Sequence, residues 1–358
     1  MVKYTLRRLI QAIPTLIGIT MLSFLMMALV PGGPTAALSG DPKMTPQQKE
    51  RIARQLGVND PIPVQYIRWL IGDQWRMIDT DDDGVPDSPG TRLGILRGDF
   101  GMSFSLKRPV LDVITERIPA TLELGLAALF FGIVIGVPIG ILAAVKRGGW
   151  FDSVTRVMAV VFNAIPVFWL GLVLILIFGS LLPQWLHNIN PVMFPKVSPI
   201  LPMGGRAPSV LTGGIPPIYQ RLQYLILPTF VLATGGIAGY SRYMRASMLD
   251  VIGQDYIRTA KAKGLSMRQV WFKHGARNAL MPLATFLGPA ITGLLAGAAI
   301  TERIFSWPGL GRLAIDTLTA LDYPVVMAVV ILSAIATILG FVLSDILYAL
   351  IDPRIRFG

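Results

Sequence analysis

A chain of 358 residues that is 53% apolar and only 15% charged departs from ordinary soluble enzymes, whose charged fraction is about 25%, and leaves no room for a large soluble domain. Its formal charge of +11 would suit nucleic acid, but beside repeated apolar runs of bilayer length it reflects Lys and Arg held on the cytoplasmic side. Cysteine is absent, which excludes a disulfide framework, a thiolate nucleophile and a cysteine-ligated metal.

The apolar runs, each near the ~20 residues of a bilayer crossing, predict six spans at about 9–30, 118–145, 157–182, 223–241, 279–301 and 324–350. Backbone groups in hydrocarbon must be satisfied within their own segment, so all six are expected to be helices and the fold class is an all-α integral membrane protein. Residues 1–30 hold the cytoplasmic N-terminus and the first span. Met1–Arg8 imitates the start of a secretory signal, but the apolar run after it exceeds the roughly 7–15 residues of a signal core, so it is read as retained.

Residues 31–117 are expected to form an extracytoplasmic cap, in which Thr45–Leu56 reads as a capped amphipathic helix. Within it Asp79, Asp81, Asp83 and Asp87 stand at positions 1, 3, 5 and 9 around Gly84, the alternation of hard oxygen ligands that Ca²⁺ takes. Gly90 stands where the bidentate acid would be, so a merely solvated acidic tip is the competing reading. Calorimetry of the outer segment with calcium separates the two.

Residues 118–358 make a five-span core with a cytoplasmic loop at 242–277. On the second span Gly132, Gly136 and Gly140 recur every fourth residue, as do Gly293 and Gly297 on the fifth, a spacing that lets helix backbones approach. Whether such faces meet within one subunit or across a dimer stays open. The 183–220 stretch is rich in Pro and Gly, with Pro183 at its start, and is expected to be irregular.

Basic residues cluster at Lys3, Arg7 and Arg8, at Lys146, Arg147 and Arg156, through 242–277, and at Arg354 and Arg356. Both termini, 146–156 and 242–277 are therefore expected inside, with 31–117, 183–222 and 302–323 outside.

Ion-coupled transporters keep ionisable residues within their spans, yet five of these spans have uncharged centres. Glu123 is the exception, near the outer end of span two, where interfacial solvation or pairing is favoured over a core role. The only histidines, His187 and His274, lie far apart in topology, and neither a zinc-protease nor a serine-hydrolase motif nor a phosphate loop occurs. The chain is therefore not expected to be an enzyme by itself, and a secondary transporter or channel is the rival from another class.

The loop after span four is the most informative segment. Asp255 is expected to cap a short helix running through Lys263, Gly264 to close it in a left-handed conformation, and Ser266 with Gln269 to open the next as a capping box. Small Ala260 and Ala262, with Tyr256 as a packing residue and Lys261 and Lys263 on a polar rim, suit a plug entering a groove on another protein.

Asp255–Gly264 resembles the cytoplasmic Glu-Ala-Ala loop of ATP-binding-cassette importer permeases, in the form used by the dipeptide/oligopeptide/nickel branch. Arg258 stands in place of the leading Glu and Thr259 in place of the first Ala, while Ala260 and Gly264 match. Asn278–Pro282, Thr301–Gly311, Asp322–Pro324, Asp345–Arg356, Gly98–Ser103 and Arg117–Leu124 match in order, and an insertion near 73–94 departs from the pattern.

The resemblance implies that Asp255, Tyr256, Arg258, Thr259, Ala260, Lys261, Ala262, Lys263 and Gly264 form the coupling helix that docks on an ATPase. It further implies a second homologous permease subunit, two ATPase subunits carrying ATP and Mg²⁺, an extracytoplasmic solute-binding protein, and a place in the prokaryotic inner membrane. Dipeptides or oligopeptides are the implied cargo, with oligosaccharides or nickel as alternatives, and no nucleic acid.

Overall fold

The computed structural model of the protein describes residues 2–29, 60–78, 88–207, 218–281 and 298–351, with single positions at 45, 47, 57, 283, 290 and 293. Asp79, Asp81, Asp83 and Asp87, most of the 45–56 segment and most of the fifth expected span lie outside the described residues. Five described helices are long and apolar enough to cross a membrane: Ile10–Ala28, Val110–Val145, Val167–Ile189, Tyr219–Ile252 and Tyr323–Ser344. The fold is accordingly that of an α-helical integral membrane protein; among the described residues a two-residue antiparallel strand pair joins Met77 with Pro89 and Ile78 with Ser88.

Three expected boundaries are corrected by packing. Span two opens at Val110 rather than near 118, because Val110, Val113 and Ile114 are buried at helical spacing although polar neighbours break the apolar run. Span three opens at Val167 rather than near 157. Pro166 disfavours the helical conformation of the residue before it, and Ile165 is extended, so 157–164 belongs to a separate helix, Trp150–Ala164. Span four continues past 241 to Ile252, since Met244 and Met248, one turn apart, are fully buried.

The expectation of irregular chain from 183 is corrected as well, as a helix runs through Leu182–Ile189 with Pro183 in its first turn. Proline lacks an N–H and crowds the carbonyl four residues before it. That carbonyl, on Gly179, lies in a widened turn at Ile177–Leu181, which supplies the room.

The chain divides into two compact units, one of Leu6–Ile118 with Leu313–Ile335 and the other of Met1–Thr5, Pro119–Arg312 and Ala336–Gly358. In the first, Phe24 packs its ring 5.6 Å from those of both Tyr66 and Trp69, and the hydroxyls of Thr20 and Tyr66 share a hydrogen bond of 2.8 Å. These contacts seat the Ile62–Ile71 helix on the first span. Beneath it the buried Arg68 donates to Asp60 at 2.7 Å and to Asp73 at 3.2 Å.

Asp322 organises the rest of this unit. Fully buried, its carboxylate accepts from the hydroxyls of Ser103 and Ser105, both at 2.6 Å, and from the backbone N–H groups of Phe104 and Ser105. The donors sit in a loop that Gly98 and Gly101 turn through positive φ. One carboxylate thus ties the Gly98–Ser103 motif to the Asp322–Pro324 motif.

In the second unit the glycine stripe of span two faces span four within one chain. A Cβ on Gly140 would lie 2.5 Å from the Ser241 carbonyl oxygen, and one on Gly136 would lie 2.9 Å from that of Ile237. A Cβ on Gly293 would meet no described residue within 4 Å.

Candidate functional site

The segment after span four builds an exposed helix on a buried footing. Asp255–Ala262 is helical, but Gln254 rather than Asp255 is its N-cap and no side chain caps it. Asp255 stands at the first helical position, where a carboxylate is favoured by the helix dipole, and is 95% exposed. The other two backbone expectations hold. Gly264 takes φ +76°, and Ser266 with Gln269 forms a reciprocal capping box that opens Met267–Gln269.

Two faces of this helix have different owners. Ile257 and Ala260 are buried with Val270, flanked by Val251, Leu265 and Trp271, and the Lys261 ammonium lies 4.6 Å from the centre of the Trp271 ring. Ala260 therefore packs against its own chain rather than facing outward. Tyr256, Arg258, Thr259, Ala262 and Lys263 are exposed. They form an outward surface of mixed polar and apolar groups whose backbone is held from behind.

A carboxylate missed in the sequence braces the neighbouring helices. Asp152 is 1% exposed and accepts from Arg245 Nε at 2.6 Å and Nη2 at 2.9 Å, and from the Gly148 N–H at 3.0 Å. The hydrogen bonds from Arg245 outweigh burial and hold its carboxyl down to about 2, from an ordinary 3.8. Its contribution to stability is thus complete above 3.8 and lost as pH falls through about 2. Asp152→Ala is expected to destabilise the protein by about 2–3 kcal/mol. Thermal unfolding in detergent measures this, and the deficit relative to the parent should shrink between those two pH values. The one available signal in the sequence was that Asp152 is the sole acid in the basic stretch 146–156.

Glu123 resolves as a paired group. Its Oε2 accepts from Arg206 at 2.5 Å and from Arg221 at 2.7 Å, with about a quarter of each side chain exposed.

Glu302, inside the Thr301–Gly311 motif, is a second missed carboxylate and is fully buried. It accepts from Thr121 Oγ1 at 3.1 Å and from the Arg312 N–H at 2.8 Å, while Thr121 Oγ1 accepts from the Leu310 N–H at 2.7 Å. The Trp307 indole donates to the Ala120 carbonyl at 2.8 Å, so the motif is fastened to span two at Ala120 and Thr121. Thr121 and Glu302 also line one end of a cavity of about 200 Å³ whose other walls include Leu124, Ala128, Tyr240 and Gly293.

Residues 136–357 match the family described as the binding-protein-dependent transport system inner membrane component, and residues 1–125 match the N-terminal membrane component of such systems. The chain belongs to this family. Among relatives of this transport component, the oligopeptide transport system permease protein AppB of Bacillus subtilis is 38% identical over 364 residues, with all of both chains covered. The dipeptide transport system permease protein DppB of Escherichia coli is likewise 38% identical over 364 residues, with 99% of each chain covered. The glutathione transport system permease protein GsiC of Salmonella paratyphi A is 35% identical over 357 residues, again with full coverage. A transport-system component of this kind is a multi-pass inner-membrane protein, in agreement with the described spans.

Proposed function

We propose that this chain is one of two membrane-spanning subunits of an ATP-driven importer of dipeptides or oligopeptides, providing half of the pathway and one surface on which an ATPase subunit docks. The observation that carries the reading is the exposed Asp255–Ala262 helix on its buried footing, in a chain similar along its whole length to permeases named for dipeptides and oligopeptides. A second related permease, two ATPases binding ATP and Mg²⁺, and an extracytoplasmic binding protein complete the machine. ATP is hydrolysed in the partners, whose closure reaches the spans as a rigid-body change.

In this reading both termini, 146–156 and 242–277 face the cytoplasm. Because the chain has no native thiol, cysteines at Ser88 and Ser266 report sidedness directly. An impermeant reagent applied to intact cells should label the first and spare the second, and labelling of both overturns the orientation.

Coupling is tested at Gly264. Open space surrounds its Cα, so Gly264→Val acts through the positive φ alone, at a cost of about 1 kcal/mol or more. Ala262→Glu changes only the outward face. In vesicles containing all partner subunits, both variants should lower uptake and substrate-stimulated ATP hydrolysis together while the amount of folded subunit stays near normal. Unchanged uptake and stimulation in both would make the segment a connector only.

A further inference from the structure

We propose that the break at Ile165–Pro166, between Trp150–Ala164 and span three, lines the water-filled passage and offers the bare carbonyls of Phe162–Ile165 and the Asn163 amide to the main chain of a passing peptide. The passage follows from the fold alone, whereas the peptide rests on the function proposed above.

The break lies deep in the membrane. Span four is one helix from Ile218 to Ile252, and it carries a charged cluster toward each end: Arg221 with Glu123 and Arg206, and Arg245 with Asp152. At 1.5 Å per residue the two stand about 36 Å apart, close to the ~30 Å of a hydrocarbon layer, from which charged groups are kept. Asp152, in the first turn of Trp150–Ala164, is level with Arg245. Leu170 and Leu174 pack instead against the cluster of Leu227, Val231 and Phe305. The break falls between these two levels, roughly 18 Å from either charged cluster.

At this depth the main chain is left unpaired. Ile165 and Pro166 are both extended, which interrupts the helical ladder. The Ile165 N–H still donates to Val161 and the Leu170 N–H to Pro166. Between them the carbonyls of Phe162–Ile165 and the N–H groups of Val167–Trp169 have no partner among the described residues. The amide of Asn163, an exposed residue, has none there either. Where the same span widens at Ile177–Leu181, by contrast, the chain supplies its own partner, the Phe178 carbonyl accepting from the Ile200 N–H at 3.1 Å.

Irregular backbone at membrane depth occurs only inside protein or along water. A neighbouring helix would not serve here, because its own main chain is internally paired and it shows only side chains, too few at one level to meet four acceptors and three donors. Water pairs with both kinds. So does an extended peptide, in which donors and acceptors alternate. Contacts of this sort ignore side chains, so a passage built on them admits peptides of many sequences, and discontinuous helices near the midplane are where transporters commonly meet their cargo.

The test uses vesicles containing the complete complex during ATP turnover, with labelling followed on this subunit, which has no thiol of its own. A hydrophilic thiol reagent should modify Asn163→Cys and Ala164→Cys and spare Ala159→Cys, whose position is buried. A transported peptide should slow both reactions severalfold. Asn163→Leu should lower peptide uptake by about three- to tenfold, as for one lost hydrogen bond, while the amount of assembled complex stays the same, and Asn163→Gln, which keeps the amide, should recover most of it. Absence of reaction at both positions would show that a neighbour covers the break and overturns the passage. Reaction that peptide does not slow, or full uptake in Asn163→Leu, overturns the peptide contact. Uptake is recorded in the same vesicles, so a complex that carries oligosaccharide or nickel in place of peptide refutes the cargo and its contact, while the cysteines still decide the passage.

Discussion

Asp322→Ala is expected to lower stability by about 4 kcal/mol, taking hydrogen bonds to a charged acceptor at ~1.5–3 kcal/mol each and allowing for their non-additivity within one network. The carboxylate accepts from two hydroxyls and two backbone N–H groups, all of them in the loop whose base is joined to span two by the Val110 N–H at the Gly101 carbonyl. Asp322→Asn should cost nearly as much, because its NH₂ would face an N–H donor that an amide nitrogen cannot accept. Thermal unfolding in detergent measures the loss. Limited proteolysis locates it, since cleavage should appear first at 98–107 while the unit containing 119–312 resists. Should Asn match the parent, the carboxylate is not what fastens the loop.

The second large effect is expected at Gly309. A Cβ there would stand 2.3 Å from the carboxyl carbon of Glu302, a side chain fully buried and pinned by Thr121 and the Arg312 N–H. Glu302 cannot swing aside without leaving both donors unpaired, so Gly309→Ala should cost about 3 kcal/mol. Glu302→Gln makes the contrast. Its carbonyl still accepts from Arg312 and its NH₂ can donate to Thr121 Oγ1, so a loss of only about 1 kcal/mol is expected. Unfolding curves for the two variants should therefore order them oppositely to a ranking by loss of charge. If the Gln variant proves the worse, negative charge at Glu302 matters in itself and the packing account fails.

What the sequence made legible follows the range of the forces involved. The five described spans were readable because the cost of polar backbone in hydrocarbon acts on each segment separately. Gly264 and the Ser266–Gln269 box were readable because left-handed φ and capping are decided within a few residues. Asp255 was misplaced by one position, since an acid is favoured both at the N-cap and in the first turn and composition does not separate them.

Span ends were misjudged wherever burial continued under polar neighbours, as at Val110 and Met248. Asp322 and Glu302 lay inside quoted motifs, yet their partners are 217 and 181 residues away in the chain. No local rule reveals that a carboxylate will be buried, and the fourfold glycine spacing likewise predicted close approach without naming the partner helix.

The Asp255–Ala262 helix divides its labour residue by residue. Ile257 and Ala260 hold it to the chain, and they are not among the side chains it shows to its surroundings. In descent from a common ancestor such a segment is free to change its address without changing its foundations. Substitutions at Tyr256, Arg258, Thr259 and Ala262 can accumulate in step with whatever the surface meets, whereas those at Ile257 and Ala260 are filtered by folding. Grafting the outward set between paralogues should therefore exchange allegiance while leaving the recipient intact, a separation that a helix buried on both faces could not offer.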